Sequence, residues 1–419
     1  MSRAEEIRVG EPYRPLAVKL INAAGRAAHA LGVQPVKLDA ESIVRKATKK
    51  AGSADFADGD VREGLTRFLE SADREGELTL LGRVMVQSYA TGNLVNRLRV
   101  VEWRKKHLDV EKEEIVRPLF IVGLPRTGTT ILHAVLEQDP ANRSPLSWEV
   151  QHPVPPSTPE TWGRDPRIAT MQKTLEQFFQ LAPGFEAMHP MSATSPEECV
   201  AIFTQCFKSE QLQVQFNVPS YQAWVDEAEM RTTYEYHKRF LQHLQSGGVR
   251  GGRWVLKSPA HLNQIDTLLE VYPDARIVHT HRDPIKVCAS IASLTAMLRG
   301  AGTDHIDLHE IGRQQLVWWA KLVNVALAQR KRFADRDDQF FDVKLREMVA
   351  DPIDVVRRLY SQFGFELSDE VDVKMRHFMD RNPRDKHGSH TYMPEDFGID
   401  PVRDREPFEE YIEHFGLQE

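Results

Sequence analysis

Cysteine is scarce in this chain. Three cysteines (Cys199, Cys206 and Cys288) stand among 419 residues. Their odd number and wide spacing suit a reducing compartment and provide neither a disulfide framework nor a C-x-x-C metal site. Long apolar runs are missing as well: none reaches the roughly 18 residues that a membrane-spanning helix needs. Positive charge is not in excess, since 54 Lys and Arg against 61 Asp and Glu leave a net charge of −7 with no basic tract. A nucleic-acid partner is therefore not expected. The first residues, Met1-Ser2-Arg3-Ala4-Glu5-Glu6, are charged and lack the apolar core of a signal peptide. These absences predict a soluble, cytoplasmic protein without a transmembrane segment. What remains is an ordinary globular composition, 41% hydrophobic and 27% charged, on a chain long enough for one large or two unequal domains.

One stretch organises the rest. Leu119-Phe120-Ile121-Val122 reads as a buried strand, which Gly123 and Pro125 stop. Thr129 and Thr130 then open a segment with helical apolar spacing (Ile131, Leu132, Val135, Leu136). A strand, a loop of small residues and a helix start aim backbone N–H groups and a helix dipole at one spot, which suits phosphate or sulfate. Gly123 to Gly128 has the G-x-x-x-x-G spacing of a nucleotide-triphosphate loop, but Thr129 stands where that loop carries Lys. The cation comes earlier, at Arg126.

Two further βα units follow. Trp254-Val255-Leu256-Lys257 is a strand ending in Lys257-Ser258-Pro259, with Leu262 to Tyr272 as its helix. Ala275 to Thr280 is a strand ending at Arg282-Asp283-Pro284, with a helix from Ile285 to Leu298. Successive βα units predict a parallel sheet flanked by helices, with ligands at the carboxyl ends of the strands. Arg126, Lys257 and Arg282 all fall there. Phe340 to Val343 is another short strand, and Ile353 to Phe363 a helix stopped by Gly364. Residues 1–112 are predicted to be a helical extension, and 113–419 an α/β domain with a helical insertion at about 160–250. Within the extension, the cations from Arg97 to His107 read as a solvated helix face. Six prolines between 144 and 166 predict extended loop. Ser195-Pro196-Glu197-Glu198 reads as a capped helix start, which accounts for both carboxylates without a catalytic role.

Pro125-Arg126-Thr127-Gly128-Thr129-Thr130 resembles the 5′-phosphosulfate loop of the sulfotransferases that use 3′-phosphoadenosine 5′-phosphosulfate (PAPS). Arg282, with Ser290 eight positions later, resembles the segment by which that family grips the 3′-phosphate. Lys344 to Pro352 resembles a further family segment, and Lys386-His387-Gly388 lies where the family places a late basic loop. With Ser147-Trp148-Glu149 and Leu256-Lys257-Ser258-Pro259, the pattern is most similar to a bacterial branch that joins a helical N-terminal extension to the core.

The resemblance implies a P-loop-like α/β fold and in-line sulfuryl transfer from PAPS to a hydroxyl of a small or lipid-like acceptor, with no metal. It implies that Arg126, Thr127, Gly128, Thr129, Thr130, Arg282, Ser290, Lys386, His387 and Gly388 hold the nucleotide. Arg126 and Lys257 are the expected cations on the leaving side. There are departures: Ile131 and Leu345 stand where the family has aromatic residues, and no His follows Lys257-Ser258. Glu149 is the first expectation for the base and His261 the second, with His189 and His390 behind them. The rival readings are a P-loop kinase or NTPase, and a non-catalytic relative. Thr129 in place of the loop Lys weighs against the first, and retention of the ligand cations against the second.

Overall fold

The computed structural model describes residues 10–57, 59–249, 251–382 and 392–418. At its centre lies β1 (Leu119–Gly123), every residue of which is buried. Four more strands run parallel to it: β2 (Asn142–Arg143), β3 (Arg253–Lys257), β4 (Arg276–His281) and β5 (Phe340–Lys344). The order across the sheet is β2-β3-β1-β4-β5. The chain leaves β1 towards one edge and later returns to its other side, so β1 lies at a topological switch point, where open α/β sheets bind ligands. The register pairs Ile121 with Lys257 and Gly123 with Thr280, which brings the ends of β3 and β4 level with the loop that follows β1.

Alternation along β1 divides the interior in two, because successive side chains of a strand point to opposite faces. Phe120 and Val122 face a core shared with the helices Arg231–Gln245, Ile265–Val271, Pro284–Gly300 and Leu308–Arg332. Leu119 and Ile121 face a second core with Leu132, Val135 and Leu136 of the Thr129–Leu136 helix and with the Pro352–Phe363 helix. A third core lies away from the sheet. Ile43, Leu65, Phe68, Leu94 and Leu98 of the N-terminal helices pack there with Phe207, Leu212, Phe216 and Tyr221 of the insertion. Contact between the two is close at Gly64, where a Cβ would stand 2.5 Å from the carbonyl oxygen of Phe207.

Several local expectations change. The basic stretch from Arg97 belongs to one 27-residue helix, Leu80–Lys106. Arg97 itself is buried, donating to the carbonyl of Phe56 at 3.0 Å and lying 4.2 Å from the Tyr236 ring. A helical turn, Ser147–Gln151, interrupts the proline-rich loop. The capped helix at Ser195 does not form. Ser195 Oγ instead accepts from the amide of Ser192 at 3.0 Å, Pro196 bridges to Leu146, and the helix begins at Cys199. All three cysteines are buried, and none is in a disulfide. No helix among the described residues is long and apolar enough to cross a membrane.

Candidate active site

The loop after β1 is held from within. The Thr127 hydroxyl donates to the carbonyl of Leu124 at 2.5 Å and lies 2.6 Å from the Thr280 hydroxyl, so its buried side chain braces the loop against β4. Gly123 has φ +143°, and a Cβ there would lie 2.3 Å from Thr280 Oγ1, so only glycine fits. Gly128, at φ +94°, is the N-cap of the Thr129–Leu136 helix, whose first-turn amides have no partner within the helix. His133 ties this helix to β3, with Nε2 3.1 Å from the carbonyl of Val255 and 3.0 Å from Ser144 Oγ. Burial, and then Lys257, push its pKa down to about 3, so it is neutral.

Among the described residues, three cations surround the loop. Arg126 is exposed, at φ +63°, with Nη1 donating to the carbonyl of Met188 at 2.8 Å. Arg282, from the end of β4, donates to the carbonyl of Arg126 at 3.0 Å. Lys257, 3% exposed at the end of β3, reaches Thr130 Oγ1 at 3.5 Å and forms an ion pair with Glu198. Burial pushes the Glu198 carboxyl up, but Lys257 and then His189 outweigh this, and its pKa lies below the usual range. Ser290 is buried on the Pro284–Gly300 helix. Lys386, His387, Gly388 and His390 lie outside the described residues.

Two expected bases do not join this group. Glu149 is 1% exposed, and its carboxylate is spent on structure. Oε1 accepts from Arg143 at 2.9 Å and Ser157 at 3.0 Å, and Oε2 from the amide of Leu146 at 3.2 Å. His261 is fully buried beneath the sheet, with its Nδ1 2.6 Å from the Tyr234 hydroxyl and its ring edge-on to Phe120 and Phe203. Burial, then His237, drive its pKa well below the ordinary value. Neither has a surface on which an acceptor could present a proton. Glu198 does, with 19% of its side chain exposed. The reading of Glu198 as a helix cap missed it, since its side chain makes no capping bond. No local pattern shows that it meets Lys257, 59 residues further on.

One carboxylate–His group, far apart in sequence, comes together in the fold. His279, His281 and Asp342 bring three ligand atoms within 4.8 Å of one another. Their hydrogen bonds account for most of this. His281 joins Asp342 at 3.0 Å and Tyr411 at 2.7 Å, and Arg330 reaches the other Asp342 oxygen at 3.3 Å. Asp342 is thus already balanced, and it does not supply the unencumbered acid that an NTPase reading would need for Mg²⁺.

A model of the sulfotransferase family matches residues 118–369, more than half of the chain and all of its strands. The chain belongs to the sulfotransferase family. Its backbone is similar to that of sulfotransferase STF9 from Mycobacterium avium, with 33% identity and a TM-score of 0.82, covering 90% of this chain and 97% of that one. Sulfotransferase STF1 from Mycobacterium tuberculosis H37Rv follows at 31% identity and a TM-score of 0.76, covering 88% and 97%. Among curated proteins, the omega-hydroxy-beta-dihydromenaquinone-9 sulfotransferase Stf3 of Mycobacterium bovis is 28% identical over 261 residues. That match takes in 59% of this chain and 62% of the length of Stf3.

Proposed function

We propose that this sulfotransferase moves a sulfuryl group from PAPS to a hydroxyl of a lipid-like acceptor, with Glu198 as the base. The observation that carries the reading is the placement of Lys257 between Thr130 of the phosphate loop and the Glu198 carboxylate. It sets a cation and an ionised acid side by side where donor and acceptor would meet.

In this reading the loop amides, with Thr129, Thr130 and Arg126, hold the 5′-phosphosulfate, and Arg282 and Ser290 hold the 3′-phosphate. An acceptor oxygen attacks sulfur while the bond from sulfur to the bridging phosphate oxygen breaks. The nucleotide leaves as adenosine 3′,5′-bisphosphate (PAP). Lys257 and Arg126 stabilise the charge that grows on the bridging oxygen. Glu198 takes the acceptor proton, and its lowered pKa keeps it ionised near neutral pH. The acceptor class is supported by the aromatic group Phe178, Phe179 and Phe185 beside Met188, and by the quinone-derived lipid that Stf3 is named for.

The test is incubation of the protein with sulfur-labelled PAPS and a bacterial lipid extract. A labelled lipid alcohol or phenol is expected. Glu198→Gln should lower the labelling rate by about 10²–10⁴-fold with PAP affinity unchanged. Absence of labelled lipid, or a fully active Glu198→Gln, would refute the reading.

A further inference from the structure

The N-terminal helix Leu16–Ala30 packs on the rest of the described chain along one side. Val18 and Asn22 are its buried residues, and Asn22 Oδ1 accepts from the amide of Leu81 at 3.3 Å. On the same side Gly25 comes so close that a Cβ would stand 2.5 Å from Leu80 Cβ. The opposite side carries Leu16, Leu20, Ala24 and Ala27, with Leu31 at the C-cap, a spacing that makes one continuous stripe on a helix. All five are exposed, the three leucines by 73%, 63% and 82%. An exposed leucine is ordinary singly, but a contiguous apolar stripe marks a surface that meets a partner.

Charge on this segment has one sign. Between Glu11 and Asp39 the sequence holds Arg14, Lys19, Arg26 and Lys37 and no acid, in a chain whose net charge is −7. Lys19 and Arg26, seven positions apart, lie along one edge of the stripe, and both are exposed. Asp304 pairs with Arg14 at 2.9 Å and Arg26 at 3.2 Å, which pins the helix to the loop after Pro284–Gly300 without cancelling the surplus. That anchorage also sets the helix beside the insertion. Met297 touches Gly184, where a Cβ would stand 3.4 Å from Met297 Cε. One turn on, along the same face of Pro284–Gly300, Gly300 meets Pro12, where a Cβ would stand 3.5 Å from Pro12 Cβ. Gly184 directly precedes Phe185 of the aromatic group that supports a lipid-like acceptor.

We propose that the helix Leu16–Ala30 docks on a bilayer that carries anionic phospholipid, and that the enzyme draws its acceptor from that bilayer. The supply of acceptor rests on the reading of the acceptor as lipid-like; the docking does not. The helix lies in the plane of the interface. Its leucine stripe enters the boundary between headgroups and acyl chains, and Lys19 and Arg26 meet lipid phosphates. A second copy of the chain fits this surface less well. At about 22 Å long and roughly 10 Å wide, the stripe falls far short of the about 800 Å² that each partner of a standard interface buries. Pairing of two such stripes also gives no use to the cations along the edge.

Sedimentation of the full chain with vesicles tests the docking without donor or acceptor. The protein is expected to pellet with vesicles of phosphatidylglycerol and phosphatidylcholine in equal parts, and to bind phosphatidylcholine alone about tenfold more weakly. Leu16→Glu combined with Leu20→Glu should weaken binding to the mixed vesicles by about tenfold or more. Tm and PAP affinity should stay as in the wild type, because both leucines are exposed. Val373→Glu, at an exposed apolar position on the helix Asp369–Arg381, should leave vesicle binding unchanged. A wild type that does not pellet, a double variant that binds as well as wild type, or equal weakening by Val373→Glu would overturn the docking. Equal binding to both kinds of vesicle would overturn the anionic preference. Vesicle binding seen only after deletion of residues 1–9 would give the stripe to that segment, and a wild-type dimer that the double variant dissociates would give it to a second copy; either overturns the proposal. Transfer from labelled PAPS then tests the supply of acceptor. The double variant should lose about tenfold or more on lipid extract held in vesicles, and keep wild-type rates on the same extract in detergent. Equal loss in both would overturn the supply. Vesicle binding with no labelled lipid in either would leave the docking standing and refute the lipid-like acceptor.

Discussion

Two glutamates show how a side chain's neighbours decide its use. Glu149 and Glu198 both follow the phosphate loop in sequence, and either can be read as a base. Glu149 meets Arg143, six residues away, inside the core, with both partners almost fully buried. Glu198 meets Lys257 at the mouth of the sheet. Glu198 was not legible as a base in the sequence, which reads it as part of a capped helix start, because its contact with Lys257 across 59 residues depends on the finished fold. Removing one member of a buried pair leaves the other charge uncompensated. Glu149→Gln is therefore expected to cost about 3 kcal/mol of stability, while activity per folded molecule stays within about twofold of wild type. Urea unfolding beside an active-site titration measures both. A stable but inactive variant would return Glu149 to the chemistry.

At the scale of elements, β1, β3, β4 and β5 were legible because apolar runs ended by glycine, proline or charge leave few alternatives. The edge strand β2 was not, since two residues carry no period. The helix start at Ser195 was misread because Ser-Pro-Glu-Glu satisfies a local rule that tertiary contacts override. The Ser195 hydroxyl is engaged by Ser192, and Pro196 by Leu146. The phosphate loop was the most legible element, and Gly123 explains why. Its φ of +143° and its contact with Thr280 leave no room for a side chain. Gly123→Ala should cost about 2–4 kcal/mol through strain and overpacking against backbone, and should weaken PAP binding beyond tenfold. Calorimetry on the folded fraction checks the second effect. Unchanged affinity would mean that the loop is not the nucleotide site.

The whole molecule stores neutral histidines. Burial first of all pushes His133 and His237 down to about 3 and His243 to about 4. Each has a polar partner in the core: the Val255 carbonyl, the Tyr272 hydroxyl and the Pro153 carbonyl respectively. The unfolded chain takes up a proton at each of them below about pH 6.5, while the native state does not. Their contribution is therefore fully present above about pH 6.5 and is lost as the pH falls towards their native pKa values, at about 1.4 kcal/mol per pH unit for each. Urea midpoints at pH 7, 6 and 5 should drop steeply. A level midpoint over that range would show that these groups are already charged in the native state.

The core shared by the N-terminal helices and the insertion bears on how this protein can be re-engineered. The loop, Lys257 and Arg282 stand on a sheet with its own packing, whereas the insertion that carries Met188 and His189 continues into residues buried against Leu65, Phe68 and Leu94. Grafting the insertion from a relative onto this scaffold would replace one wall of that core and leave the other unmatched, with Gly64 pressed against a foreign backbone. A chimaera intended to change the acceptor should therefore carry the donor protein's N-terminal hundred residues together with its insertion, as one inherited unit.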